Sequence, residues 1–281
     1  MEQTSGSCSA GTGDFKKQRF FIKPSKCNFG QQELEYLGHI ITCHGVKVDG
    51  NKIAAMISWP RPQNITELRG FLGLTGYYRK FVQGYGIIAH SLTNLLKKGQ
   101  FVWNSEAEEA FEKLKKAMSS TPTLAMPNFH ETFIVETDAS GEGIGAVLQQ
   151  QGRPIAYMSH ALGTSKKGWS IYNKEMLAIV EAVRRWRPYL LGHRFIIKTD
   201  QQSIKFFLEQ QVATPEQHKW MSKLMGYDYR LFTDQGVRIK PLMPYPDDLT
   251  VHFFISYLYH RLLFGTKLMR PLVVMNICKR Y

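Results

Sequence analysis

Three carboxylates stand in otherwise apolar stretches of this chain. Asp138 closes Thr132-Phe-Ile-Val-Glu-Thr-Asp138, Glu175 lies in Tyr172-Asn-Lys-Glu175-Met-Leu, and Asp200 closes Phe195-Ile-Ile-Lys-Thr-Asp200. The β-branched pair Ile134 and Val135 leads into Asp138-Ala-Ser-Gly141, a turn, and Ile144 to Gln149 reads as the next strand. Ile196 and Ile197 lead in the same way into Asp200, after which Gln201-Gln-Ser-Ile-Lys-Phe-Phe-Leu208 has helical spacing. Both aspartates are therefore expected at strand ends.

Glu175 is the diagnostic member. From Tyr172 to Leu191 the apolar residues Tyr172, Met176, Ile179, Val180, Val183, Trp186 and Leu190 recur every three or four positions, which defines one buried helix face. Glu175 lies on that face, three residues after Tyr172 and four before Ile179. A buried carboxylate is costly unless something offsets its charge, and hard divalent cations held by oxygen ligands do so. Taken singly, Asp138 and Asp200 also suit turns or helix starts, and Glu175 suits an exposed first-turn acid. Two Thr-Asp strand ends with an inward helix glutamate between them, in the order strand, strand, strand, helix, strand, point instead to one metal cluster.

A family resemblance is carried by these same segments. Phe133-Ile-Val-Glu-Thr-Asp-Ala-Ser140, Gly143-Ile-Gly-Ala-Val-Leu148, Arg153-Pro-Ile-Ala-Tyr157, Tyr172-Asn-Lys-Glu175, Trp186 to Gly192 and Lys198-Thr-Asp-Gln201 resemble the ribonuclease H domain of gypsy-type LTR-retrotransposon polyproteins. The likeness continues through Thr214-Pro-Glu-Gln217, Lys219-Trp220 and Lys223-Leu-Met-Gly-Tyr-Asp-Tyr229. Upstream, Ser25-Lys-Cys-Asn-Phe29, Tyr36-Leu-Gly-His-Ile-Ile41, Trp59-Pro-Arg-Pro62, Leu68-Arg-Gly-Phe-Leu-Gly-Leu74 and Tyr77-Tyr-Arg79 are similar to the reverse-transcriptase region that follows the polymerase active site. The resemblance covers about residues 20–236.

The implied fold is α/β: an α+β thumb region followed by a ribonuclease H-like mixed five-stranded sheet flanked by helices. Residues 1–19 are expected to be disordered, 20–48 to form a palm-end or primer-grip hairpin, 49–127 the thumb and linker helices, and 128–236 the ribonuclease H-like domain, leaving 237–281 as a tail outside the family pattern. Helical reading begins at Asn64, with Leu68, Phe71, Leu72 and Tyr78 to one side, and a second helix spans about Ser105 to Ser119 with Ala107, Phe111 and Leu114 inward. Pro122 and Pro127 punctuate the approach to the sheet.

The resemblance implies metal-dependent endonucleolytic hydrolysis of the RNA strand in an RNA–DNA hybrid. Two Mg²⁺ ions are expected, with Mn²⁺ as a substitute, roughly 3.5–4 Å apart. Asp138 would bridge both, and Glu175 and Asp200 would complete the ion at the leaving 3′ oxygen. The 2′-hydroxyl in a wide minor groove would separate RNA from DNA. The implied partners are an RNA–DNA hybrid or other nucleic-acid duplex and the remainder of the pol polyprotein.

Composition fits a polyanionic partner. In 281 residues with 43% hydrophobic content, there is material for two cores of roughly 100 residues each. The formal net charge is +13 and the isoelectric point about 9.5. Arg69, Arg79 and Lys80 in the thumb region, and Lys166, Lys167, Lys174, Arg184, Arg185 and Arg187 around the Glu175 helix, are the candidate phosphate contacts. Met1 to Lys17 is polar and rich in Gly and Ser, with no apolar core of a signal peptide or membrane anchor. Cys8, Cys27, Cys43 and Cys278 show neither metal-ligand spacing nor disulfide density, so a reducing cytoplasmic or nuclear compartment is expected and secretion is not. His39, His160 and His193 form no zinc pattern and are expected to be structural.

The family pattern fails after Gly236. An Asn is expected where Ile239 stands, and the fourth metal carboxylate where Met243 stands; from Leu249 onward there is no Asp or Glu. The run Val251 to Tyr259 is too short to span a bilayer. Such a tail is expected from readthrough into another frame or a misjoined exon, and cleavage by this copy is expected to be impaired. Tyr245-Pro-Asp-Asp248 mimics the Tyr-x-Asp-Asp turn of reverse transcriptases, but it follows the ribonuclease H segment with no palm upstream, so polymerisation is not expected. A non-catalytic nucleic-acid-binding relic, favoured by the missing carboxylate, and a structural subunit of a polymerase are the alternative readings.

Overall fold

The computed structural model describes residues 31–97, 99, 101–199, 220, 222–233 and 238–239. The expected primer-grip residues before position 31, the Thr214-Pro-Glu-Gln217 segment and the tail beyond Ile239 lie outside them. The first strands are β1 (Glu33–Tyr36), β2 (His39–Thr42) and β3 (Gly45–Val48), an antiparallel sheet in that order rather than a single hairpin. Leu37 and Gly38, both at positive φ (50° and 75°), make the two-residue turn between β1 and β2.

Helices α1 (Gly50–Ile57) and α2 (Ile65–Tyr77) follow, then a short 3-10 turn at Arg79–Phe81, α3 (Tyr85–Ile88), α4 (His90–Asn94) and α5 (Ser105–Ser119). Asn64 starts α2 because its side chain accepts from the Glu67 amide at 2.9 Å while Glu67 accepts from the Gln63 amide at 2.7 Å, satisfying two amides at the helix start. Asn104 caps α5 through the Ala107 amide at 2.9 Å. Leu68, Phe71, Tyr78, Phe111, Leu114 and Met118 bury into one core with Val46 and Val48 of β3. The inward residues read from helical spacing are those that pack.

The second sheet holds β4 (Phe133–Ala139), β5 (Gly143–Gln150), β6 (Arg153–Ala161), β7 (Phe195–Thr199) and β8 (Tyr229–Thr233), with a two-residue edge strand β9 (Arg238–Ile239). Its order is β6-β5-β4-β7-β8-β9. Neighbours β4, β5 and β6 pair antiparallel, whereas β4–β7 and β7–β8 are parallel. Five strands thus make the expected mixed sheet, and β9 adds a sixth by pairing Leu231 with Ile239 and Phe232 with Arg238.

The chain crosses from β6 to β7 through α6 (Thr164–Lys167), α7 (Ile171–Arg185) and α8 (Arg187–Leu190). The periodic run from Tyr172 to Leu191 is therefore two helices. Pro188 lacks the N–H that would continue the α7 hydrogen-bond ladder, so the chain turns at Trp186. Met176, Ile179, Val180 and Val183 of α7 pack on Phe133, Val135, Leu148 and Ile197 of the sheet.

The two halves meet through backbone. Val46 and Leu124 exchange two hydrogen bonds of 2.8 Å, and the Ala125 amide donates to the Pro154 carbonyl at 2.7 Å. On the other side the Gly86 amide of α3 donates to Ser159 Oγ of β6 at 2.6 Å. A Cβ on Gly86 would stand 2.6 Å from the Ser159 carbonyl oxygen, so only glycine allows this approach without displacement.

Candidate active site

Period-two alternation sets the site. In β4 the side chains of Phe133, Val135, Thr137 and Ala139 turn inward toward α7, and Glu136 and Asp138 are exposed between them. Asp138 therefore offers its carboxylate to solvent at the end of the strand. Parallel pairing aligns Thr137 of β4 with Thr199 of β7. The two Thr-Asp steps thus begin side by side, and Thr137 Oγ1 donates to the Lys198 carbonyl at 3.3 Å, tying the two strands together. Asp200, the third predicted carboxylate, lies outside the described residues.

Glu175 comes from the first turns of α7, whose start is capped by Ser170 accepting from the Asn173 amide at 3.3 Å. It is only 2% exposed, as its inward helical position required. One carboxylate oxygen accepts from the Ala139 amide at 2.8 Å and the other from the Thr199 hydroxyl at 3.4 Å. The helix glutamate is therefore fastened to the ends of both parallel strands. Because the Ala139 amide belongs to the peptide that Asp138 begins, Asp138 and Glu175 flank one peptide group.

The turn after Asp138 is also held. Ser140 Oγ accepts from the Glu142 amide at 3.3 Å and the Gly143 amide at 3.2 Å. Lys167 reaches back to Glu142, and that bond with its charge holds the Glu142 carboxyl below its usual range. Sequence reasoning assigned no role to Thr199 or the Ala139 amide as supports of Glu175. The signal was nonetheless present in the repeated Thr-Asp pair.

Among the described residues, which do not include Asp200, no three His, Cys, Asp or Glu side chains lie close enough to hold an ion. In donor chemistry, though not in shown convergence, the residues suit a hard divalent cation: alternation sets Asp138 on the face of β4 away from α7, while Glu175 reaches the strand end from the α7 side. Asp138 and Glu175 are carboxylates at one strand end, and the buried one is already oriented by an amide and a hydroxyl.

The predicted phosphate contacts divide by burial. Arg69, Arg79, Arg184, Arg185 and Arg187 are exposed, Arg184 pairing with Glu181 at 3.0 Å. Lys166 is half-buried over the Trp169 ring, 5.6 Å from its centre. Lys174 departs from expectation, being only 5% exposed. It lies on the helical stripe of Leu177 and Ala178, which pack on Ala139, Ile144 and Leu162, so α7 is covered on a second side. Lys80 also turns inward: its Nζ is buried with no hydrogen-bond partner among the described residues.

Arg79, Arg184 and Arg185 act together on His160, with Glu181 among them. Burial holds His160 below its usual range; Glu181 opposes this, while Arg185, Arg79 and Arg184 push in the same direction as burial. The histidines expected to be structural include His39, which is 1% exposed among Tyr77, Tyr78 and Phe81. Burial lowers its pKa to about 4, Lys80 adds to the effect, and the Leu37 carbonyl opposes it.

The family described as "RNase H-like domain found in reverse transcriptase" matches residues 103–197, which include Asp138 and Glu175. The Retrovirus-related Pol polyprotein from transposon 297 of Drosophila melanogaster is 40% identical over 212 residues, covering 75% of this chain and 20% of that protein. An uncharacterized mitochondrial protein of Arabidopsis thaliana is 48% identical over 122 residues, covering 43% of this chain and 77% of that one. The chain spans a fifth to a quarter of the Drosophila transposon polyproteins it matches. In fold it is similar to the foamy viral protease-reverse transcriptase solved in complex with an RNA/DNA hybrid, with TM-score 0.71 at 19% identity over 88% of this chain and 36% of that one.

Proposed function

Because this chain belongs to the retrovirus-related Pol polyproteins of retrotransposons and carries their ribonuclease H-like domain, we propose that it hydrolyses the RNA strand of an RNA–DNA hybrid. The observation that carries this reading is the buried Glu175 carboxylate, fastened between the Ala139 amide and the Thr199 hydroxyl beside the exposed Asp138. A glutamate serving only the fold has little reason to lie 2% exposed at the ends of two parallel strands.

Asp138, Glu175 and Asp200 are the residues that would hold the divalent ions. When bound, Mg²⁺ or Mn²⁺ supplies Lewis-acid stabilisation of phosphate oxygens and a water of lowered pKa. The chain's own contribution is positional. Thr199 and the Ala139 amide fix the Glu175 rotamer, so its position is set before substrate arrives. The Thr137 bond to Lys198 keeps the two aspartate-bearing strand ends in register. Exposed Arg69, Arg79, Arg184 and Arg187 supply phosphate contacts that position a duplex without reading its sequence. In the reaction, water oxygen bonds to phosphorus as the bond to the 3′ oxygen breaks, leaving a 5′-phosphate and a 3′-hydroxyl.

Cleavage by this copy is weak on the same reading, because Met243 stands where the resemblance puts a fourth carboxylate; Met243 lies outside the described residues. The test is a cleavage assay with labelled RNA in an RNA–DNA hybrid, an RNA–RNA duplex and a DNA–DNA duplex, with Mg²⁺ and then Mn²⁺. Hybrid-specific loss of the RNA strand supports the reading. Equal cutting of all three duplexes overturns it, and retention of hybrid binding with no cutting under either ion favours the non-catalytic relic.

A further inference from the structure

Between the halves of the molecule lies a partly open cavity of about 70 Å³, lined by none of the carboxylate-site residues. Leu124 closes it from the connecting segment, Tyr157 from β6, and Trp186 and Tyr189 from the end of α7 and the start of α8. Two cations face it, Lys80 and Arg185, and no carboxylate lines it among the described residues. Lys80 Nζ is buried there with no hydrogen-bond partner among the described residues. Neither cation has an ion pair among the described residues, and Glu181, one turn before Arg185, is taken by Arg184 at 3.0 Å.

An ammonium withdrawn from water without a counter-charge is strongly unfavourable. Burial lowers Lys80 to about 8, and burial together with Arg79 lowers Arg185, as expected for cations lacking an anion. Both phenols are pushed up by burial, Tyr189 to about 12, so they stay protonated at neutral pH. The cavity has room for roughly two waters, each about 30 Å³ in the liquid. That space, lined by two cations, suits a single tetrahedral oxyanion.

We infer that this cavity is a binding site for one phosphate-type oxyanion, held by Lys80 from the upstream half and Arg185 from the ribonuclease H-like half. The anion bridges the two halves. An ammonium and a guanidinium together offer eight N–H donors, enough to saturate such an oxyanion from two sides. The inference is independent of nuclease activity, because neither cation touches Asp138 or Glu175. It also gives Lys80 and Arg185 a task distinct from that proposed for Arg69, Arg79, Arg184 and Arg187, which contact successive phosphates along a strand.

The full chain in phosphate- and sulfate-free buffer is titrated with inorganic phosphate by calorimetry, and its thermal midpoint is followed in parallel. Wild type is expected to bind saturably with one site and to gain thermal stability with concentration. Lys80→Met and Arg185→Gln are each expected to weaken binding about tenfold or more. Lys80→Met should also melt higher than wild type without phosphate, because it removes the buried cation. If Lys80→Met does not fold, Arg185→Gln, altered at an exposed residue, decides alone. Repeating the titration with saturating RNA–DNA hybrid separates the sources: competition assigns the site to a strand phosphate, and an unchanged titration assigns it to a free anion, both in support. Absence of saturable binding in wild type, or equal affinity in wild type and the folded variants, overturns the inference.

Discussion

The Glu175 carboxylate accepts a 2.8 Å hydrogen bond from the Ala139 amide, the nitrogen of the peptide that Asp138 begins. This contact sets a helix acid directly against the strand end that bears the other acid, and it separates the chemical role of Glu175 from its structural one. In Glu175→Gln the amide oxygen can still accept from Ala139 and the NH₂ can donate to the Thr199 hydroxyl, so the variant should fold with its near-ultraviolet circular dichroism unchanged and lose cleavage. Glu175→Leu leaves the buried Ala139 amide unpaired and should cost about 1–3 kcal/mol in a urea melt. Equal destabilisation by both substitutions would mean that the bond to Ala139 does not hold the helix.

Gly86 and Gly73 are predicted to respond oppositely to the same change. Gly86→Ala puts a Cβ 2.6 Å from the Ser159 carbonyl oxygen, and overpacking against backbone should cost about 1–3 kcal/mol and expose the junction to limited proteolysis. Gly73→Ala on α2 meets nothing within 4 Å and should stabilise by up to about 1 kcal/mol through helix propensity. Thermal melts of the two variants decide this; destabilisation by both would show that α2 is under some other constraint.

The inward Glu175 was legible because residues three before and four after it, Tyr172 and Ile179, are apolar and local. The burial of Lys174 was not, because the cover on its side of α7 comes from Ala139, Ile144 and Leu162, which are distant in sequence. Lys80 follows the same logic: three charged positions in Arg79-Lys80 and Arg185 look alike as a sequence, and only the meeting of the two halves turns one of them inward. Strands β4 and β7 were readable from β-branched runs ending in Thr-Asp, whereas the mixed five-stranded sheet was implied by the family resemblance and the spatial strand order was not read. The break at Trp186 was obscured by apolar spacing that continues across Pro188, and α1 was passed over although Ile53, Met56 and Ile57 stand at helical spacing, because it is only eight residues long and opens on Gly50.

His39 gives a pH signature. Its folded pKa of about 4 lies below its unfolded value of 6.5, so between these pH values the unfolded chain binds more protons and stability falls as the solution is acidified. The contribution is complete above pH 6.5, with a slope of at most about 1.4 kcal/mol per pH unit for one proton. Urea midpoints from pH 7 to 4 should fall more steeply in wild type than in His39→Leu. Parallel curves would remove His39 as the titrating group.

Burial also sorts the basic residues. Duplex affinity should fall linearly on a logarithmic salt scale, each neutralised phosphate contributing a slope of about −0.9. The double variant Arg184→Gln with Arg187→Gln should lose up to about two such increments, whereas Lys174→Gln should leave the slope unchanged. Asp138→Asn should keep the wild-type slope. A reduced slope for Lys174→Gln would show that its ammonium reaches the duplex after all.

The most direct measurement is the rate of RNA-strand cleavage in an RNA–DNA hybrid by a chain whose residues after Gly236 are replaced by the family's Ala-Asp-Ala-Leu-Ser-Arg ending, compared with the same chain carrying Asp138→Asn or Glu175→Gln. The restored chain should cut with Mg²⁺ at least about tenfold faster than the present one, and either substitution should abolish cutting while hybrid binding persists. Cleavage that survives Asp138→Asn and Glu175→Gln, or a restored chain that binds the hybrid and never cuts it, would contradict a nuclease centre built on these two carboxylates.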